Sequence, residues 1–251
     1  MIKRFLYKYG SFEGDRRNYL KEILLEGKIF FSNPYRFNDP FDCRPRLEIG
    51  TSSEDREQAR KEIFRILCER FPQATKQQNR QEADLVFSRI ENYYNNLSNQ
   101  YEDLLKDYGV YCLSASCENL LMWAHYGAGH TGYCLEFNAS EGSFFSNAFE
   151  VHYQKDYPVI NPFLSDPERG KKAILTKSLD WAYEKEWRLT SSEHGSMDFP
   201  SRDLAGVIFG CKTKVEDIED VKKWIGIREQ PIRMHRAVIN DRYYKLDIIG
   251  F

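Results

Sequence analysis

The chain lacks several features that would settle its class at once, and each gap excludes something. No apolar run approaches the length of a bilayer span, so membrane insertion is not expected. Met1–Phe12 mixes Lys3, Arg4 and Lys8 with its apolar residues and has neither the apolar core nor the small-residue cleavage site of a secretory signal. The six cysteines form no CxxC pair, and most sit in apolar stretches, which reads as reduced core cysteines of a cytoplasmic protein. Net charge is nearly absent: 36 basic against 38 acidic residues leave −2, so a nucleic acid or anionic partner must be met by a local patch. Walker loops, GxGxxG fingerprints, serine-hydrolase elbows and recognisable nuclease spacings do not occur. Cys112, Cys117, His125, His130 and Cys134 fit no zinc pattern, so no metal is expected.

What is present is a 251-residue chain, 41% hydrophobic and 15% aromatic, long enough to bury a substantial core. Strands are predicted at Phe5–Tyr9, Ile29–Ser32, Val110–Ser114, Gly132–Phe137, Glu150–Tyr153, Ala205–Gly210, Met234–Ile239 and Tyr243–Ile249. Tyr19–Leu25 reads as a helix stopped by Gly27, and Glu118–Tyr126 as another. A polar helix is predicted from about Pro167 to Trp181, and Lys214–Ile225 reads as a helix burying Val215, Ile218, Val221, Trp224 and Ile225. Glu54–Phe71 and Ala83–Tyr108 show helical spacing and are joined by a Gln- and Asn-rich stretch, which makes residues 52–108 a helical insertion in a single domain spanning 1–251. Strands interleaved with helices in this order give an α+β fold.

Three clusters carry chemistry. Leu179–Leu189 crowds Glu184, Glu186 and Arg188 among Trp181, Tyr183 and Trp187; extended backbone from Glu184 would put both acids and the guanidinium on one face. Such a group would perturb its own proton affinities and hold a hydroxyl or a developing cation, or it is a salt-bridged helix end. The loop Phe37–Asp42 presents Asn38, Asp39 and Asp42 on a backbone stiffened by Pro34 and Pro40, which suits a ligand site; the same Asx residues also cap turns. Ser114, Ser116, Trp123, His125 and Tyr126 form the third. Hydroxyls there would orient a phosphate or ribose, and His125 would shuttle a proton or simply partner a carboxylate, although Ser116 also reads as a helix N-cap.

The order Leu6-Tyr7-Lys8-Tyr9, Phe37-Asn38-Asp39-Pro40-Phe41-Asp42, Met122-Trp123-Ala124-His125-Tyr126-Gly127, Trp181-Ala182-Tyr183-Glu184-Lys185-Glu186-Trp187-Arg188 and Gly206-Val207-Ile208-Phe209-Gly210-Cys211 resembles a bacterial family known only as domain of unknown function 2971. That resemblance implies a setting of antiphage defence or abortive infection. More distantly, the chain is similar to ADP-ribosyltransferases, which share a compact split sheet, an early strand motif, a mid-chain strand ending in serine and a late Glu-x-Glu. The similarity implies NAD as substrate, with Lys8 or Tyr9, beside Tyr7, on its ribose or phosphate and Ser114 supporting the nicotinamide side. It also implies Glu186 bonding the ribose hydroxyl and Glu184 orienting a protein or nucleic-acid acceptor, as in a toxin. The rival expectations are a nucleotide- or nucleic-acid-binding module gripping through Tyr35–Phe41 and Trp123, and a defence nuclease.

Overall fold

Alternate residues of Phe5–Gly10 divide between two environments: Leu6 joins one apolar cluster, while Tyr7 and Tyr9 join another on the opposite face. In a computed structural model of the chain, which describes residues 5–48, 52–89, 105–161 and 169–251, this segment is strand β1 near the middle of an eight-stranded sheet. It is followed by α1 (Arg16–Glu26), β2 (Lys28–Phe31), β3 (Arg46–Leu47), α2 (Ser53–Arg70), α3 (Lys76–Ser88) and β4 (Gly109–Ser114). Next come α4 (Leu120–His125), β5 (Tyr133–Asn138), β6 (Phe149–Glu150), β7 (His152–Gln154), β8 (Val159–Ile160), α5 (Arg169–Ile174) and β9 (Thr176–Ser178). The last elements are β10 (Glu186–Ser191), β11 (Gly195–Asp198), β12 (Leu204–Phe209), α6 (Val215–Gly226), β13 (Arg233–Ile239) and β14 (Leu246–Gly250).

The main sheet runs β14-β13-β12-β5-β1-β4-β10-β6 and is antiparallel except where β13 returns beside β12 through α6. This is an α+β arrangement. Leu20, Ile23 and Leu24 of α1 and Ile218 and Val221 of α6 pack against Leu6, Leu113, Leu135, Phe137, Val207 and Phe209 on one face. Each such side chain stabilises by about 1.5–3 kcal/mol on burial. On the other face Met122 and Trp123 of α4 cover Tyr9, Cys134 and Ile208.

The sheet's continuity is weakest between β1 and β4. β1 pairs with β5 from Phe5 to Gly10, and β4 with β10 from Gly109 to Ser114, yet the register between β1 and β4 is the single pair Tyr7 with Ser114. Lys8 reaches across from β1, its Nζ donating to the Cys112 carbonyl at 2.9 Å, and so supplies a bond that a regular ladder would have made with backbone. A cleft opens beside this junction.

Several predicted boundaries move. α3 begins at Lys76 behind a capping box in which the Gln78 side-chain oxygen accepts from the Thr75 amide, so the Gln-rich stretch is helical. α2 and α3 bury Ala59, Ile63 and Ala83 against one another. Tyr93, Tyr94, Leu97 and Tyr101, taken as part of the second helix of the insertion, lie outside the described residues. The helix predicted to run to Trp181 stops at Ile174, because Thr176–Ser178 pairs in parallel with β7 and the Ser178 side chain then caps a 3-10 turn over Leu179–Glu184. α4 is capped by Asn119, which accepts from the amides of Leu121 and Met122, and not by Ser116. Val215 begins α6 with its side chain exposed.

The ends of β1, β5 and β12 come so close that a Cβ on Gly132 would run into the Gly10 carbonyl oxygen. Gly132→Ala is therefore expected to destabilise the fold by about 1–3 kcal/mol, read as a lower urea midpoint.

Candidate functional site

The loop before β3 is rigid for local reasons. Asn33 caps the 3-10 turn Pro34–Arg36 by accepting from the Tyr35 amide at 2.8 Å, and the Asp39 carboxylate accepts from the Phe41 amide at 2.9 Å. Cys43 then takes a left-handed backbone with φ 55°, and Asp42 is buried beneath the loop. Strand alternation in β10 sends Glu186 and Arg188 to the same face as Asp42, while Trp187 packs on the main core. Glu184 is not on the strand: the preceding 3-10 turn ends at Lys185, at φ 47°, which folds Glu184 back beside Glu186.

These groups form a buried charge network. Arg188 is fully buried, and all five of its donors are used. Its Nε and Nη2 donate to the two oxygens of Glu186 at 2.8 and 3.0 Å, and its Nη2 and Nη1 donate to the two oxygens of Asp42 at 2.6 and 3.0 Å. The remaining Nη1 proton goes to the Ile174 carbonyl. Lys177, from β9, places Nζ 2.5 Å from Glu184, 2.9 Å from Glu186 and 3.6 Å from Asp42. Its ammonium stands among three carboxylates. Among the described residues no group of His, Cys, Asp and Glu is arranged to hold a metal ion.

Three carboxylates face two cations, and the two glutamates settle the imbalance differently. Burial alone would raise Glu186, but Arg188 and then Lys177 outweigh it and hold its carboxyl at about 2. Glu184 moves the other way: burial raises it above the usual carboxylate range, with Lys177 only partly opposing. The Tyr126 hydroxyl donates to Glu184 Oε1 at 2.7 Å and is itself pushed up by burial and by that carboxylate. Burial would lower Lys177; Glu186, Glu184 and Asp42 together reverse this and keep it charged.

A cleft of about 480 Å³ opens onto the network. Tyr7, Lys8, Tyr9, Asn38, Ser114, His125, Tyr126, Glu184 and Glu186 all line it, brought together from four separate regions of the chain. Four other candidates do not. Asp39 caps its own turn and lines neighbouring cavities. Ser116 accepts from the Glu118 amide, and its carbonyl takes the Tyr9 hydroxyl at 2.8 Å. Trp123 is fully buried beneath Tyr9 at 5.2 Å, edge to face, its indole N–H donating to the Cys117 carbonyl. Arg188 lies behind the acids as their counter-ion, without access to a ligand. Ser114 lines the cleft, yet its hydroxyl donates to the Glu184 carbonyl at 2.6 Å and accepts from the Ser116 amide, so it fixes the turn that carries Glu184.

Residues 122–189 match the model of a family described as protein of unknown function, DUF2971. No curated protein and no solved structure matches the chain. The matched span runs from α4 to β10 and contains Tyr126, Lys177, Glu184, Glu186 and Arg188, the larger part of the network.

Sequence reasoning passed over Lys177, Arg16 and Arg36, which also line the cleft, and singled out Asp42 only as part of its loop. Lys177 had one available signal: it follows Ala173-Ile174-Leu175-Thr176, all buried, and a lysine inside such a run needs a buried partner. Nothing local marks the two arginines.

Lys177→Met strips one cation from the buried carboxylates and is expected to cost about 3–5 kcal/mol in a denaturant titration. Glu186, depressed in the folded state, contributes stability that is present above its ordinary value and lost as pH falls through about 2. Removing Lys177 weakens that depression, so the acid unfolding midpoint of the variant should move to higher pH, followed by tryptophan fluorescence.

Proposed function

We propose that the chain is an enzyme of ADP-ribosyltransferase type, which cleaves NAD at its nicotinamide glycosidic bond and passes ADP-ribose to a macromolecule. The observation that supports this most is the mixture of charges that lines the cleft. Asp42, Glu184 and Glu186 line it together with Lys177, Lys8, Arg16 and Arg36. NAD also carries both signs, with a cationic nicotinamide ring and an anionic diphosphate. The carboxylates suit the ring and the adjoining ribose, and the arginines suit the diphosphate.

In this reading the glycosidic electron pair leaves with neutral nicotinamide, and the ribose acquires oxocarbenium character that a fixed carboxylate stabilises. An acceptor nucleophile then bonds to the ribose carbon, and its proton passes to a carboxylate. Glu184 fits that role better than Glu186. Both oxygens of Glu186 are held by Arg188 and one also by Lys177, whereas each oxygen of Glu184 has one side-chain donor and its raised proton affinity favours taking a proton. Glu186 is then the charge anchor that orients Lys177.

The setting we propose is bacterial antiphage defence or a toxin acting in the cytoplasm, which rests on the family resemblance. No helix among the described residues is long and apolar enough to cross a membrane. A second reading, nucleotide binding without chemistry, draws on the larger cavity of about 690 Å³ lined by Tyr35, Phe37, Pro40 and Tyr157. A metal-dependent nuclease is the weakest of the three, since Lys177 fills the position between the acids.

Incubation with NAD separates these readings. Nicotinamide release is expected from the native chain and should fall roughly 100-fold or more in Glu184→Gln, with its circular dichroism unchanged. Saturable NAD binding with no product would instead identify the binding module, and an undiminished rate in the variant would remove Glu184 from the chemistry.

A further inference from the structure

The cleft adjoins a second cavity, of about 420 Å³, whose lining contains none of the three network acids and not Lys177. Lys8, Tyr9, Arg16, Ser32 and Tyr126 line both, so the two meet along β1 and the start of α1.

The charges sort between them. No carboxylate lines the second cavity, and its two cations, Lys8 and Arg16, are those it shares with the cleft. Lys8 bonds the neutral Cys112 carbonyl and lies 4.8 Å from the centre of the Tyr111 ring, so its charge is not cancelled by either partner. Arg16 makes no ion pair among the described residues. Two unneutralised cations at the boundary of two cavities select an anion there.

Past the cations the lining becomes neutral and flat. Tyr133 is buried against β1, where a Cβ on Gly10 would come within 2.5 Å of its ring. Burial pushes the Tyr133 hydroxyl up, and the Arg16 guanidinium is near enough to oppose that rise, which puts the cation beside the rings. The Tyr19 hydroxyl accepts from the Phe30 amide at 2.5 Å and so is tied to β2, and the Phe30 ring is 37% exposed. Ile23 and Leu135 complete this end. The groove therefore presents carboxylates, then cations, then fixed uncharged rings. Inorganic phosphate would answer the cations and leave the rings uncovered, whereas a nucleoside diphosphate answers both with one molecule.

We propose that the second cavity binds the base and ribose of a nucleoside diphosphate whose phosphates sit on Lys8 and Arg16. That this molecule is the distal half of NAD rests on the transferase reading above; the binding itself does not.

The test is calorimetric titration of the full chain with ADP, without NAD. Saturable binding is expected, with adenosine and inorganic diphosphate each roughly tenfold weaker or more, since each makes only one of the two sets of contacts. Arg16→Glu, at the exposed first position of α1 where an acid suits the helix, should weaken ADP about tenfold or more and leave adenosine unchanged. Phe30→Ala should weaken ADP about five- to a hundredfold and leave inorganic diphosphate unchanged, with the circular dichroism of both variants native. Absence of saturable ADP binding, ADP no tighter than inorganic diphosphate, or binding indifferent to Phe30→Ala overturns the proposal. Nicotinamide release measured in parallel keeps the two readings apart. ADP binding that Phe30→Ala weakens, with no release from NAD, supports the nucleotide site and removes the transferase. Release whose KM for NAD ignores Phe30→Ala, with no ADP binding, keeps the transferase and removes the site.

Discussion

The guanidinium of Arg188 organises the site, because it meets Asp42 and Glu186 at once through paired bonds. A planar fork with five donors can satisfy two carboxylates and a carbonyl simultaneously, which an ammonium cannot. It also ties together two distant parts of the chain, the loop before β3 and the strand β10. Without that pairing two carboxylates would be buried side by side, a cost of several kcal/mol per ion. Lys177 then has a fixed set of oxygens to approach, and Glu184 a fixed ammonium. The order of dependence runs from arginine to lysine to the outermost glutamate.

The broken ladder between β1 and β4 is what makes room for this network to matter. A sheet paired along its whole width would offer only side chains above its surface. Here the ladder to β1 is the single Tyr7–Ser114 pair; Ser32 takes the backbone of Val110, and Lys8 bonds the Cys112 carbonyl from across the gap. The result is a cleft lined by Ser32, by Val110, Cys112 and Ser114 of β4, and by Glu184 and Glu186. Tyr9 and Trp123 support this geometry from beneath, which explains why so aromatic a motif as Met122–Tyr126 contributes only His125 and Tyr126, with Met122, to the lining.

Much of the framework was legible because period-two and helical spacing respond to burial, which is a local pattern in the chain. The strands at Phe5, Val110, Gly132, Ala205 and Met234 lie within a residue or so of their expected places, and Gly27 stops α1 in the left-handed conformation its position required. The errors fall where tertiary pairing outweighs local preference. Thr176–Ser178 reads as the end of a helix until β7 offers it a partner, and Glu184 reads as strand until Ser178 caps a turn ahead of it. Glu184, Glu186 and Arg188 could be singled out from three charges between tryptophans, but not the direction of each acid's shift, which depends on burial and on Lys177 arriving from elsewhere.

The contrast between the two glutamates shows how a fold can hold two chemically identical groups in different states within one network. Both are buried to the same degree, so burial alone would raise both. Glu186 receives Arg188 at both oxygens and Lys177 at one; Glu184 receives Lys177 and a neutral tyrosine. The difference is thus one guanidinium, and its effect is to concentrate the network's uncompensated charge on the carboxylate nearest the aromatic turn. An approaching cationic or electron-poor group would be drawn to Glu184 and not to its neighbour. A proton arriving in its place would meet the same preference, so the residue that attracts a positive ligand is also the one prepared to accept a proton once that ligand has reacted.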